Sequence, residues 1–159
     1  MFDVDGTLVQ LTDGLRQHLA ADSFDLDAYH AASVTEAPAF DGIVVLLKAL
    51  QDAGVAIIVS TYREADYRDV TFELFDRLGI WPKSTYMRLP EDRELPNYAV
   101  KEKHLERIAE TYEIIGVADD DPAIEELCKR RGIPVLVVPG WLAEADTTNR
   151  GAADDGTTS

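Results

Sequence analysis

Asp3 and Asp5 stand two residues apart at the end of a short apolar run, and Gly6-Thr7 follows at once. A strand repeats every two residues, so both carboxylates project to the same side. In an open parallel sheet, ligands bind beyond the carboxyl ends of the strands. Two acids at such an end, with a glycine that lets the backbone turn away, suit a divalent cation and a phosphate. An ordinary turn rich in Asp and Gly is the competing account of the same residues. A second acidic group, Asp119-Asp120-Asp121, closes another apolar run just before Pro122. Asp121 alone satisfies the helix start as an N-cap. Three consecutive aspartates exceed that need, and a bound cation relieves their repulsion most simply.

Phosphoryl transfer also needs groups that face the phosphoryl oxygens. Lys101 is placed by periodicity. Leu105 and Ile108 lie four and seven residues on, so Lys101 shares their apolar stripe, whereas Lys103 is rotated by about 200° toward solvent. Snorkelling from the rim of the stripe is the alternative for Lys101. Thr61 and Arg63 follow the apolar run at 55–59 and are equally readable as turn and surface residues. Arg88 and Arg93 flank a loop near the same edge. They either hold a substrate phosphate or balance Glu91, Asp92 and Glu94. His18, His30 and His104 show no spacing that joins them to one another or to a nucleophile. Cys128, one residue from Leu127 and four from Ile124, reads as a small buried hydrophobe.

The elements that must position these groups alternate. A helix over 13–21 precedes an irregular Asp- and Ala-rich stretch, and a clear helix begins at Asp41 and stops at Gly54. Strands are predicted at 55–59, 84–88, 113–118 and 134–138. Helices are predicted after Arg63 up to Gly79, over 98–111, and from Pro122 to Arg131. This order predicts an α/β fold, a Rossmann-like three-layer α/β/α sandwich on a central parallel sheet. The domain is expected to span residues 1–142, with 9–40 as a small flap, and 143–159 to be a disordered tail. Only Met1 and Phe2 back Asp3, against about five residues for a usual strand. That shortness implies a first strand clipped at its start. No P-loop and no dinucleotide fingerprint is present.

The 159 residues are 46% hydrophobic and 28% charged, an ordinary balance for one soluble domain. One cysteine rules out an internal disulfide. The formal net charge of −15 argues against general affinity for nucleic acid or an anionic membrane, but not against local clusters of Arg and Lys. With no signal peptide and no long apolar run, a cytoplasmic location is expected.

Asp3-Val4-Asp5-Gly6-Thr7-Leu8, a strand ending in Ser60-Thr61, a helix-borne Lys101 and a strand ending in Asp119-Asp120, in that order, resemble the haloacid dehalogenase-like superfamily of phosphatases. Val59-Ser60-Thr61-Tyr62-Arg63, Tyr86-Met87-Arg88, Val100-Lys101-Glu102 and Ala118-Asp119-Asp120 are similar to the 3′-phosphatase domain of polynucleotide kinase/phosphatases. That branch usually has Gly where this chain has Tyr62, and often Arg where it has Asp121. The resemblance implies that Asp3 is the nucleophile and Asp5 the acid/base. It implies Mg²⁺ held by Asp3, the Asp5 backbone carbonyl and Asp119, with Asp120 close by. It implies Thr61 and Lys101 on the phosphoryl oxygens and Arg63 positioning substrate. The substrates implied are nucleic-acid 3′-phosphate ends or nucleotides, with a homo-oligomer or a separate kinase partner left open. A minimal cap agrees with an open site. A regulatory module that keeps the metal site without turnover, a small-molecule phosphatase and, less readily, a mutase are the rivals.

Overall fold

The chain enters the middle of its own sheet. In the computed structural model, which describes residues 1–20 and 22–140, Phe2 pairs in parallel with Val59 on one side and Ala118 on the other. Backbone bonds from Phe2 to Ile58 (2.9 Å) and from Asp3 to Ala118 (3.0 Å) fix it there. The first of these neighbours belongs to β1 (Ile58–Glu64), which pairs with β2 (Ser84–Arg88). The second belongs to β3 (Val117–Asp119), which pairs with β4 (Val135–Val137). The spatial order is therefore β2, β1, the Phe2 segment, β3, β4, with every pair parallel. Among the described residues, six α-helices connect them: α1 (Asp13–Gln17), α2 (Leu26–Thr35), α3 (Asp41–Asp52), α4 (Arg68–Leu78), α5 (Asn97–Ala109) and α6 (Pro122–Arg131).

Strand alternation divides the core into two layers. Phe2, Val59 and Ala118 pack with Val44 and Leu47 of α3 and with Leu74 and Phe75 of α4. Val117, one residue out of phase, packs instead with Leu105 of α5 and with Ile124, Leu127 and Cys128 of α6. The result is the expected Rossmann-like α/β/α sandwich, and Cys128 is fully buried as expected.

Several boundaries differ from expectation, each for a physical reason. The strand expected at 55–59 runs from Ile58 to Glu64, and the one expected at 113–118 runs only from Val117 to Asp119. Each ladder begins where its neighbour does, at Ile58 opposite Ser84 and at Val117 opposite Val135, since an extended segment without a partner forms no ladder. β1 then continues through Thr61 and Arg63, which lie within a strand rather than in a turn after it. Its register is irregular there: three residues of β1, between Ser60 and Glu64, oppose one of β2. Such a bulge re-aims side chains. The helix expected over 13–21 ends at Gln17, and the stretch read as irregular contains α2, capped by Asp25 accepting from Ala28 N–H at 2.9 Å. The buried residues of α2 are Tyr29, His30, Ala32 and Ser33, so no apolar stripe announces it.

Residues 9–40 leave and return at one point, where Val9 bridges Ala39 in antiparallel fashion. The expected disordered tail, 143–159, lies outside the described residues. Among the described residues, no helix is long and apolar enough to cross a membrane.

Candidate active site

The carboxyl ends of the Phe2 segment, β1 and β3 meet at a cavity of about 480 Å³. Asp3, Asp5, Thr61, Arg63, Arg88 and Asp120 all line it. Lys101 reaches it from α5 along the stripe it shares with Leu105 and Ile108, and is fully buried. Its ammonium donates to Asp3 Oδ1 at 2.8 Å and to Asp119 Oδ2 at 2.5 Å. Burial alone would lower the Lys101 pKa, yet the two carboxylates hold it above its ordinary value. Asp3 moves the other way for a carboxylate. Burial and the neighbouring Asp119 charge outweigh Lys101 and raise its pKa well above the usual range.

Asp120 adds a third acid. Thr7 Oγ1 donates to its Oδ1 at 3.3 Å, while its Oδ2 is buried without a partner. Burial, then Asp119, push its pKa up to about 7. Gly6, at φ +87°, holds the backbone so close to this carboxylate that a Cβ there would lie 2.0 Å from Asp120 Oδ2. Asp3, Asp119 and Asp120 each present a carboxylate oxygen, all within 4.8 Å of one another. Two of the three buried acids share one lysine, and the third, Asp120, has an orphaned oxygen. This is a surplus of hard donors of the kind that Mg²⁺ takes. The residues present fit that ion.

Asp5 faces elsewhere. Its Oδ2 accepts from Arg63 Nε at 2.8 Å, and its Oδ1 accepts from Arg63 Nη2 at 2.7 Å and from Tyr29 Oη at 2.7 Å. Burial would raise the Asp5 pKa, but the bidentate Arg63 pair lowers it overall. The Asp5 carboxylate is thus outside the three-acid cluster, and a part in metal binding rests on its backbone carbonyl. Arg63, expected to position substrate, is buried with its guanidinium committed to Asp5, to Ser33 Oγ (2.9 Å) and to Thr71 Oγ1 (3.4 Å). Thr61 is buried at the cavity wall, where its Oγ1 accepts from Arg63 N–H at 3.3 Å.

The two loop arginines separate. Arg88 lines the cavity, but its guanidinium also binds the carbonyls of Asp92, Arg93 and Leu95 and Asn97 Oδ1, so it holds the loop together. Arg93 does not line the cavity and is exposed. It pairs with Glu64 and Asp66, both at 2.7 Å, rather than with the nearer Glu91, Asp92 or Glu94. Asp92 is taken by Lys103, which is half exposed as expected.

Of the histidines, His18 is half-buried while His30 and His104 are core residues. His104 Nδ1 bonds Ser60 Oγ at 2.8 Å, and burial lowers the pKa of both buried rings to about 4. Sequence reasoning missed Tyr29 and Ser33 altogether. The available signal was their i, i+4 spacing behind the Asp25 cap. The two departures from the family pattern touch each other: Tyr62 Oη donates to Asp121 Oδ2 at 3.3 Å, and the Tyr62 ring lies 4.9 Å from Lys101 Nζ.

A nucleophile-type acid beside a lysine, an acid cluster at the neighbouring strand end and a parallel α/β sheet together define a haloacid dehalogenase-like phosphatase domain. Residues 1–140 match the family described as the polynucleotide kinase PNKP phosphatase domain, and the chain belongs to that family. Among solved structures it is similar to a chain of the Pnkp1/Rnl/Hen1 RNA repair complex (TM-score 0.67, 22% identity, 86% of this chain and 40% of that one). It is also similar to the class C acid phosphatase of Bacillus anthracis with tungstate bound (TM-score 0.61, 17% identity, 88% and 66%). The chain thus spans less than half the length of its Pnkp1 neighbours. No curated protein matches it in sequence.

Proposed function

We propose that this domain is a Mg²⁺-dependent phosphomonoesterase that works through an aspartyl-phosphate on Asp3, in the cytoplasm. The observation that carries the reading is the gathering of Asp3, Asp119 and Asp120 around Lys101, with Asp5 held beside them by Arg63, at one cavity. Mg²⁺, held by the Asp3 carboxylate, the Asp5 carbonyl, Asp119 and Asp120, would neutralise the surplus charge of the site and that of the phosphoryl oxygens. Asp3 attacks phosphorus as the ester P–O bond breaks, and Asp5, ionised at rest under the Arg63 pair, takes up a proton when the anionic ester binds beside it and gives that proton to the departing oxygen. Asp5 then takes a proton from water, whose oxygen attacks phosphorus while the bond to Asp3 breaks. Thr61 and Lys101 face the phosphoryl oxygens. Arg63 acts through Asp5, and Arg88 supports the cavity wall. Arg93 is left out of the substrate set because it is paired away from the cavity.

For the substrate, we propose phosphorylated nucleic-acid 3′ ends or nucleotides. Family membership supports this, and so does the likeness to a chain of an RNA repair complex. The same likeness supports partner proteins, and a separate kinase is proposed among them from the kinase that the family's description names. The net charge of −15 favours short ends over long polyanionic tracts. The test is phosphate release, with and without Mg²⁺, from a 3′-phosphorylated oligonucleotide, a mononucleotide and a sugar phosphate. The oligonucleotide or the nucleotide is expected to be fastest, and Asp3→Asn is expected to lose at least about 10⁴-fold in kcat. Equal, slow hydrolysis of all three removes the nucleic-acid assignment. Turnover untouched by Asp3→Asn or by removal of Mg²⁺ removes the mechanism.

A further inference from the structure

The Asp5 carboxylate is gripped from two directions. Arg63, on β1, makes a two-point contact with it. Tyr29, on α2, closes from the other side, with its hydroxyl 2.7 Å from Oδ1 and its ring buried. Oδ1 therefore accepts two hydrogen bonds, from Arg63 Nη2 and Tyr29 Oη, whereas Oδ2 accepts one, from Arg63 Nε. A carboxylate oxygen has two lone-pair directions. Oδ1 is saturated and Oδ2 keeps one direction open. Without Tyr29, both oxygens carry a single bond and the carboxyl group has no preferred oxygen to present.

Tyr29 does not float on its helix. Ser33, one turn further along α2, accepts from Arg63 Nη2 at 2.9 Å through its hydroxyl. Arg77 of α4 donates to the Ala37 carbonyl at 2.8 Å, just beyond the end of α2. The ring of His30 packs on that of Tyr67 with centroids 4.1 Å apart. The helix is pinned to the body of the domain at three points around Tyr29.

We propose that Tyr29 is a positioning residue for Asp5: it saturates Oδ1 so that proton transfer to the departing oxygen runs through Oδ2. The proposal rests on the phosphomonoesterase reading above. It gives residues 9–40 a task in the chemistry itself, beyond covering the site. A hydroxyl that only stabilised the fold would affect all substrates alike. One that positions the acid matters most where the leaving group needs its proton.

The experiment compares Tyr29→Phe with the unaltered chain in Mg²⁺, on an alkyl phosphate (glycerol phosphate) and an aryl phosphate (p-nitrophenyl phosphate), whose phenolate leaves without a proton. The expected result is a loss of about 10- to 100-fold in kcat on the alkyl ester and less than about threefold on the aryl ester, with KM little changed. Equal losses on both esters, or none on either, overturn the proposal. If the unaltered chain hydrolyses neither ester, phosphate release from a 3′-phosphorylated oligonucleotide decides the phosphomonoesterase reading separately, and a crystal structure of Tyr29→Phe still decides the role of Tyr29. An Asp5 carboxyl group rotated or split between orientations supports positioning, and one unchanged from the parent overturns it.

Discussion

Two cavities of nearly equal size, about 480 and 470 Å³, open at opposite ends of the same central strand. The one at the carboxyl end is lined by acids, arginines and hydroxyls. The one at the amino end is lined mainly by apolar side chains, Leu46, Leu50, Ile57, Ile58, Ile114 and Ile115 among them. Size does not distinguish them. What does is the reason each exists. At the carboxyl end three elements stop together, and their last side chains are polar groups that share protons and charge. At the amino end β1 and β3 are each led by apolar residues that flank the cavity. The first cavity is an arrangement of chemistry, and the second is one of apolar packing.

That difference predicts different responses to mutation. Lys101→Met keeps the length of the side chain but leaves Asp3 and Asp119 buried without their cation. The expected cost is about 3–5 kcal/mol in urea unfolding. Leu50→Ala at the apolar cavity removes a larger volume from a partly buried site already beside empty space, and is expected to cost only about 1–2 kcal/mol. Equal costs would break the distinction between the two ends.

The legible part of the site was the part written in periodicity. Lys101 falls on the stripe of Leu105 and Ile108, and Asp119-Asp120 follow an apolar run, so both could be placed without coordinates. Tyr29 could not. It acts across 24 residues of sequence on Asp5, from a helix whose inner face is polar. Arg93 was not placed by its neighbours, because the nearest acids in sequence, Asp92 and Glu94, are not the acids it pairs with, which are Glu64 and Asp66. The bulge in β1 brings Glu64 to it instead. The ends of β1 and β3 were misplaced because apolar runs mark buried segments, whereas ladders also require a neighbour.

A divalent cation sharpens the comparison by acting at one end only. If Asp3, Asp119 and Asp120 take Mg²⁺, the ion at about 100 times its Kd should stabilise the fold by about 2.7 kcal/mol, visible as a rise in Tm. Asp120→Asn removes the orphaned oxygen and should abolish most of that rise. In the absence of the ion it should leave the fold no weaker, since it discharges a buried acid. No rise in the unaltered chain would sink the metal assignment.

The smallest effect is one of pH, and it has opposite signs at the two ends. The Met1 ammonium donates to the Gly116 carbonyl at 2.8 Å, and its pKa is lowered to about 6, chiefly by burial. Unfolded, the same group titrates near 8. Between these values the unfolded chain binds more protons, so this group's contribution is fully present above pH 8 and is lost as pH falls toward 6. Asp120 is the reverse, since its pKa rises to about 7 in the folded state. Its contribution is present below the ordinary carboxylate pKa and is lost as pH rises toward 7. Acetylating the amino terminus removes the first titration and leaves the second. The acetylated chain is expected to gain about 1–2 kcal/mol on the unmodified one at pH 6, and little at pH 8. In Asp120→Asn the pH 6 to 8 difference between acetylated and unmodified chains should persist, because the two groups lie at opposite ends of the strand and the Lys101 charge that acts on both is left in place. A difference that vanished in that variant would mean that the two ends are coupled through Met1, Phe2 and Asp3.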